Sequence, residues 1–458
     1  MIKNKAYQLF HEGNLALSKA SRVGFRLDVE YCKRTINKIT EEVKTLEQEL
    51  LDTKFVKRWK IIYKEKFNLN SGHQLGQMLY KIYKLEPPEL TETGKGSTND
   101  SSLTKINRPE LKIVLRIRKL KKIRDTYLEN YLREQVDGIL HPTFNLNNVI
   151  SYRGSCSNPN LTNVSKNNEE TKKYVRSALM PHKDQQLMEV DYKNLEVFIA
   201  CCLHQDPTMI EYLQNPKADM HTDMSEQIYM MDINKRNPIH DKLRFFSKGN
   251  WTFGQAYGDY YVNCARGFCK DLNLPIGKWS TKDGIEIEEG KTIGQHYIEK
   301  GIKSYKDFEN FLKKVEDDYW GRRFAVYGKW RENLWETYKK KGYITGPTGF
   351  TYRGIMKRKN AINYPVQGAA FHVLLWSFIQ LTRIIEEKNL KSKLISQVHD
   401  SIILSIEPSE IDIVKKIIRQ VMTVDVLTEF KWLTLSLDID AELGDVNKSW
   451  YELEHTKI

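Results

Sequence analysis

The sequence lacks the features that mark membrane, secreted and disulfide-stapled proteins. No strictly apolar run approaches the ~18 residues of a membrane span. The N-terminus, MIKNKAYQLF, carries no apolar stretch of the signal-peptide kind, so nothing in it argues for secretion. Cysteine is scarce, with six in 458 residues, and none falls in a CxxC pair. Cys264 and Cys269 could form half of a metal site, but no matching Cys/His pair follows at finger spacing. Reduced structural thiols are therefore expected. No internal repeat is apparent either.

What is present is an ordinary globular composition with an excess of cations. Hydrophobic residues make up 40% and charged residues 29% of the chain, enough for a core and a soluble surface. The length gives a soft prior of three units of about 150 residues each. Lys and Arg number 72 against 59 Asp and Glu, a formal charge of +13. Such a balance attracts polyanions, nucleic acid first among them, though many basic proteins bind none.

The first third reads as helical. Ala16 to Leu51 carries long, charged helix formers at helical spacing, with an early break at Gly24. Thr91 to Ser102 and Asn167 to Lys173 are polar and expected to be loops. In Lys112 to Arg124, KIVLRIRKLKKIR, Ile113, Ile117, Leu120 and Ile123 share one face and cations cover the rest. That pattern fits a solvated helix face or a helix laid along phosphates. Strands and loops are expected from His141, and the C-terminal segments LISQVHDSIILSIE and LTLSLDIDAEL alternate as strands do.

Three segments carry the chemistry. In LMEVDYKNLEVFIACCLHQDP, Leu187 to Tyr192 alternates as a strand and Leu195 to Leu203 has helical spacing, stopped at Asp206-Pro207. Asp191 thus ends a strand, where a side chain reaches a cleft, although a carboxylate there also serves as a plain helix cap. In RFFSKGNWTFGQAYG, Arg244 and Lys248 are four apart, as are Phe253 and Tyr257. Paired cations and paired rings on one helix suit a nucleoside triphosphate, and apolar cores rarely recruit both Arg and Lys. Leu394 to Glu407 reads as strand, tight turn, strand, with His399-Asp400 at the exposed tip.

In this order the three segments resemble motifs A, B and C of the family A DNA polymerases, the DNA polymerase I family. Other matches extend the resemblance over nearly the whole chain: NSGHQLGQMLY with Lys95-Gly96-Ser97-Thr98, RGSCSNPNLTN from Arg153 to Asn163, and AINYPVQGAA from Ala361 to Ala370. The resemblance implies an α+β, right-hand fold with a helical thumb, an antiparallel-sheet palm and helical fingers. The expected division is 1–140 for entry and thumb, 141–205 for the first part of the palm, 206–339 for the fingers, and 340–458 for the second part of the palm. It implies a DNA-directed DNA polymerase that extends a primer with dNTPs by two-metal phosphoryl transfer. Asp191, Asp400 and the Tyr192 carbonyl would hold two Mg²⁺ ions, with Mn²⁺ able to substitute. Arg244, Lys248, Phe253, Tyr257, His221 and Glu196 match dNTP contacts, Glu196 being the sugar gate. Arg153, Lys359, Asn363, Gln367 and His399 match residues at the primer-template, where minor-groove donors can check pairing without reading sequence. The partners implied are primer-template DNA, dNTPs and a separate helicase or processivity factor, with no membrane, in the cytoplasm (of a host, if viral).

Four departures stand out. Ser401 replaces an acid that usually follows the His-Asp pair, and Lys359 replaces an Arg, keeping the charge without the bidentate fork. An insertion after Gly258 looks more like phage-type members. Lys248 and Phe253 are five apart where the family has four. One extra residue rotates a regular helix by about 100°, so a π-bulge near Gly249 to Trp251 is expected to absorb it. The alternative is a later helix start, with Thr252 replacing the aromatic. No acidic exonuclease signature lies upstream, so no 3′→5′ exonuclease is expected in this polypeptide. The rival readings are a single-subunit RNA polymerase, a non-catalytic binding relative and a two-metal nuclease. Glu196 argues against the first, the intact acids and cations against the second, and the triphosphate cations against the third.

Overall fold

The computed structural model describes residues 5–91, 93–164, 168–215 and 217–458. A five-stranded antiparallel sheet organises the centre, in the spatial order Lys393–Val398, Ser401–Ile406, Gln186–Tyr192, Ile439–Leu443, Glu454–Thr456. Its strands Gln186–Tyr192 and Ser401–Ile406 face two cores rather than a core and solvent, whereas Asp440, Glu442, Glu454 and His455 of the last two strands are exposed. Met188, Val190 and Tyr192, with Ile402, Leu404 and Ile406, pack into one cluster, which also holds Val373, Leu374 and Phe378 of the helix Arg358–Glu387. Leu187, Ile395 and Ile403 pack into a second, with Ile39, Val43 and Leu50 of the helix Val29–Asp52. In Gln186–Tyr192 and Ser401–Ile406 period-two alternation therefore assigns the apolar residues to one of two layers, and a one-residue slip would exchange them.

The helix Arg358–Glu387 is long and apolar enough by composition to cross a membrane, but 72% of its most apolar window is buried inside the protein. It reads as a core helix. Its Pro365 is the eighth residue, inside the helix, where it leaves the Ala361 carbonyl without the usual intrahelical donor.

The break at Gly24 falls where the sequence places it. Gly24 has φ +75°, and an added Cβ would lie 2.7 Å from the Leu140 carbonyl oxygen. The helix Lys5–Val23 ends there, a short strand Phe25–Leu27 follows, and Asp28 caps the next helix by accepting from the Tyr31 N–H.

Three local expectations need correction. Residues 169–173 are not a loop: Asn168 accepts from the Thr171 N–H and starts a helix, Glu169–Arg176, whose basic last turn complements the helix dipole. Asn167 lies outside the described residues. In LTLSLDIDAEL, Leu433, Leu435 and Leu437 are buried alternately, but strand pairing begins only at Ile439. Alternation reports burial, and ladder hydrogen bonds need a partner strand. The basic helix Pro109–Lys121 does not offer a free row of cations to phosphates. Arg116 binds Glu42 and Glu170, Lys119 binds Glu170, Lys121 binds Glu47, and Arg118 binds Asp100 and the Thr98 carbonyl. Lys112 and Lys122 of the basic stretch are exposed, as are Lys54, Lys57, Lys60, Lys64 and Lys66 nearby.

All six cysteines are free and buried. Burial pushes the Cys32, Cys201, Cys264 and Cys269 thiols up to about 12, so they stay protonated and unreactive.

Two buried histidines make the fold acid-sensitive. His204 accepts from the Asp206 N–H at 2.9 Å and stacks on Tyr327 at 3.9 Å, a role only the neutral ring can fill. His372 sits between Thr348 Oγ1 at 2.6 Å and the Tyr152 carbonyl at 3.2 Å. Burial lowers both to about 3, against 6.5 in the unfolded chain. Between those values the unfolded state binds more protons, so this stability is complete above pH 6.5 and drains as the pH falls. Each histidine should remove about 1.4 kcal/mol per pH unit in that window. Thermal melts at pH 7.5 and 5.0 should show a clear drop at the lower pH; equal melting temperatures would contradict the buried neutral assignment.

Candidate active site

The strand Gln186–Tyr192 is held between Ser401–Ile406 and Ile439–Leu443, with Asp191 registered against Ser401 on one side and Asp440 on the other. The chain then turns through Asn194, whose φ of +50° is a conformation Asn tolerates better than most residues. The helix Leu195–His204 begins there and puts Glu196 in its first turn, above the strand end. Beside it the hairpin Lys393–Val398 and Ser401–Ile406 reverses at His399 and Asp400, with His399 at φ +53° and Gln397 Nε2 bonded to its carbonyl. Tight reversal leaves the Asp400 side chain 36% exposed at the tip.

The second wall is one helical run. Asn237 caps it by accepting from the Ile239 and His240 N–H groups, and Pro238 occupies its first position. The run is α-helical over Pro238–Ser247, π-helical over Lys248–Phe253 and α-helical again over Gly254–Ala256. The wider π turn absorbs the extra residue at the expected place. It brings residues five apart onto one face: Lys248 Nζ lies 5.3 Å above the Phe253 ring, and Phe253 and Tyr257 remain 6.3 Å apart. Thr252 turns inward and is buried.

Arg244 is held rather than free. Its Nη2 reaches both oxygens of Asp219 at 3.0 and 2.9 Å, and its Nε donates to Thr222 Oγ1 at 3.1 Å. Asp219 also caps the helix Met220–Tyr229 and contacts Lys235. Burial alone would raise the Asp219 carboxyl, but Lys235 and Arg244 outweigh it and hold it well below the usual carboxylate range. Neither Asp219 nor Lys235 was legible as a site residue. The available signal was an Asp at a helix N-cap two positions before His221; Lys235 had none. His221 is lowered to about 4, by burial first and then by Lys248 and Arg244, so at neutral pH it is a neutral hydrogen-bonding ring and not a cation.

Glu196, His221, Phe253, Tyr257, Asn363 and Gln367 line one cavity of about 260 Å³, near the small end of the ligand-pocket range of roughly 300–1,000 Å³. Asn363 and Gln367 are one turn apart on the helix Arg358–Glu387, and Asn363 Nδ2 donates to the Tyr257 carbonyl at 2.6 Å. Gly258 at φ +81° lets that carbonyl turn approach the same helix: an added Cβ would sit 2.9 Å from Lys359. Lys359 is thus against the turn after Tyr257, outside the cavity lining, as are Asp191, Asp400, Arg153, His399, Arg244 and Lys248.

Arg153 joins the cavity to the carboxylates. Tyr257 Oη donates to Glu196 Oε2 at 2.8 Å, Arg153 Nη1 lies 3.3 Å from Glu196 Oε1, and Arg153 Nη2 lies 3.6 Å from Asp400 Oδ1. Burial raises the Glu196 carboxyl in spite of Tyr257 and Arg153, and burial beside Glu196 raises the Tyr257 phenol, which remains a donor. The contacts run from Asp400 through Arg153 to Glu196 and Tyr257 at the cavity, and Lys248 lies over the Phe253 ring that lines it.

Comparison with known proteins bears on the family and the fold. The family model for DNA polymerase family A matches residues 29–452. DNA polymerase I of Lactococcus lactis subsp. cremoris is 27% identical over 459 residues, covering 99% of this chain and 47% of its own length. DNA polymerase I of Bacillus subtilis is 25% identical over 464 residues, covering 98% of this chain and 46% of its own. The chain spans less than half the length of these curated relatives. Among solved structures, the POL domain of Pol1 from M. smegmatis, in complex with DNA primer-template and dNTP, has a TM-score of 0.73 at 20% identity. That likeness covers 96% of this chain and 70% of the other, and it speaks to the fold, an α+β right-hand architecture. With a family match over most of its length, the chain belongs to DNA polymerase family A.

Proposed function

We propose that this chain extends a primer 3′ end with dNTPs under the direction of a template, and that its thumb, palm and fingers follow the division 1–140, 141–205 with 340–458, and 206–339. The observation that carries the reading is the Arg153 bridge, which ties the nucleotide cavity at Glu196 to the hairpin acid Asp400. Bacterial DNA polymerase I relatives, and a fold neighbour solved with primer-template and dNTP, support it.

In this reading Arg244 and Lys248 take the triphosphate, with His221 donating to it as a neutral ring. Asp219 keeps the guanidinium aimed, so little freedom is lost when phosphate arrives. Phe253 and Tyr257 face the base and sugar. Glu196, bonded to Tyr257 Oη, closes the space beside the sugar C2′. Arg153, Asn363, Gln367 and His399 contact the primer terminus and its pair, and Lys359 adds charge at the turn after Tyr257.

Among the described residues no group of three or more His, Cys, Asp or Glu gathers as a metal site. Two carboxylates and the Tyr192 carbonyl are hard oxygen donors of the kind Mg²⁺ accepts, with water and phosphate completing its shell. Mg²⁺ bound there would lower the pKa of the primer hydroxyl and neutralise charge at the leaving pyrophosphate. The strand end at Asp191 and the hairpin tip at Asp400 support that reading. A cytoplasmic replication role and a phage-type origin belong to the same proposal, the latter supported by the insertion after Gly258, folded here as helices Tyr261–Asp271, Ile293–Glu299 and Tyr305–Asp318.

Primer extension with Mg²⁺, comparing dNTPs with rNTPs, tests the reading. Extension with dNTPs at least ~10-fold more efficient than with rNTPs is expected from the gate; equal or reversed use would favour an RNA polymerase. In the same buffer without nucleotides, a mismatched primer should stay full length. Metal-dependent shortening that survives Asp191→Ala would reveal a second active site.

A further inference from the structure

Two residues before Asp191, the same strand carries a carboxylate that the proposed mechanism does not use. Glu189 is 7% exposed. Its Oε1 accepts from Ser401 Oγ at 2.8 Å, and its Oε2 accepts from Trp450 Nε1 at 2.7 Å and Arg176 Nη1 at 3.1 Å. Arg176 is 4% exposed and lies over the Trp450 indole, 3.9 Å from the ring centroid. Four distant stretches meet at this one carboxylate: the helix Glu169–Arg176, the strand of Asp191, the hairpin strand Ser401–Ile406 and the turn Trp450–Glu452.

A buried ion pair is a poor way to gain stability, since apolar residues of the same shape generally do as well or better. Where the carboxylate points is more informative. Ser401 directly follows Asp400, and its Oγ is also 2.8 Å from the Val398 carbonyl, across the base of the turn that carries Asp400. In the sheet Ser401 is registered against Asp191 and Ile403 against Glu189, so the Glu189–Ser401 contact is a cross-strand diagonal. It links the two acid-bearing strands on the face that Glu189 shares with Asp191.

We propose that Glu189 is a positioning residue for Asp400: it anchors Ser401, and through Ser401 it fixes the His399–Asp400 turn in register with Asp191. Arg176 and Trp450 hold the carboxylate in the one orientation that reaches Ser401. This rests on the reading of Asp400 as a metal-binding acid. Glutamine at 189 would keep the shape but remove the charge that the buried Arg176 pairs with, and it would turn the Ser401 contact from one the carboxylate accepts into one the amide donates. The anchor would then be weakened without truncation of the side chain.

The test uses the full chain with Glu189→Gln, Ser401→Ala, the double variant and Asp400→Asn. The measurements are turnover, the Mg²⁺ concentration for half-maximal rate, primer-template Kd and Tm. Glu189→Gln should raise the half-saturating Mg²⁺ concentration and lower kcat, each by ~10-fold, as loss of a partner that orients a metal ligand does. Primer-template Kd should hold within ~2-fold, since that affinity comes from cations elsewhere. Ser401→Ala should move both quantities the same way, and the double variant should be no worse than Glu189→Gln alone, because both remove one linkage. A lowered Tm with unchanged kcat and Mg²⁺ profile would make Glu189 a fold anchor only, and strictly additive effects would break the link through Ser401. If Glu189→Gln does not fold, Ser401→Ala decides: an unchanged Mg²⁺ profile overturns the proposal. An inactive Asp400→Asn beside unaffected Glu189→Gln and Ser401→Ala sinks this inference alone, whereas an active Asp400→Asn removes the metal reading and this inference with it.

Discussion

Alanine at Asp191 or at Asp400 should lower the rate of primer extension by at least ~1,000-fold, about 4 kcal/mol of lost transition-state stabilisation. Each acid is fixed by backbone pairing that the substitution leaves intact: Asp191 by strands on both sides, Asp400 by the hairpin whose ladder runs from Lys393 to Ser405. Asp400 is partly exposed at the tip, so its removal empties no core. Primer-template affinity should change little, because phosphate contacts by exposed cations dominate it. The checks are single-turnover extension, a binding titration and a thermal melt for each variant. Near wild-type extension by either variant would overturn the assignment of the acids. A rate loss accompanied by a collapsed Tm would assign them to the fold instead.

The second large effect is expected at Glu196. Glu196→Ala should raise ribonucleotide incorporation relative to deoxyribonucleotide by at least ~10-fold, about 1.4 kcal/mol of discrimination. The carboxylate sits in the first turn after the Asp191 strand and is bonded at 2.8 Å by Tyr257 Oη and faced at 3.3 Å by Arg153. In the proposed gate the carboxylate stem and Tyr257 would occupy the space beside the sugar C2′, so a 2′-hydroxyl placed there would clash. Exclusion of that kind discriminates more strongly than contacts made to the favoured sugar. A first-turn glutamate is also favoured by the helix dipole, but a dipole role alone would leave sugar choice untouched. The measurement is kcat/KM for dNTP over rNTP in wild type and variant. An unchanged ratio would take Glu196 out of the sugar site.

Much of this site was readable in the sequence because its residues occupy positions that local pattern dictates. Alternation in Leu187 to Tyr192 and in the hairpin put Asp191 and Asp400 at a strand end and a turn. The five-residue spacing of Lys248 and Phe253 pointed to a π turn or a later helix start, and the structure has the π turn, at Lys248–Phe253. Other features depend on partners far away in the chain. Arg116, Lys119 and Lys121 look free in sequence, but Glu42, Glu47 and Glu170 pair with them from other helices. The alternating leucines from Leu433 mark burial without a strand to pair with. Ser401 reads as the loss of an acid, and only the register of its strand against the next brings Glu189 beside it. Asp219 looks like an ordinary helix cap until Arg244 and Lys235 are folded onto it.

The most direct test of the whole account is single-nucleotide addition by the purified chain on four primer-templates that differ only in the first unpaired template base. With Mg²⁺ and each dNTP in turn, only the nucleotide complementary to that base should be added efficiently on each template, and Asp400→Ala should add none. Addition that ignores the template base, or no addition by a folded chain that binds the primer-template, would contradict the assignment of this cleft as a template-directed polymerase site.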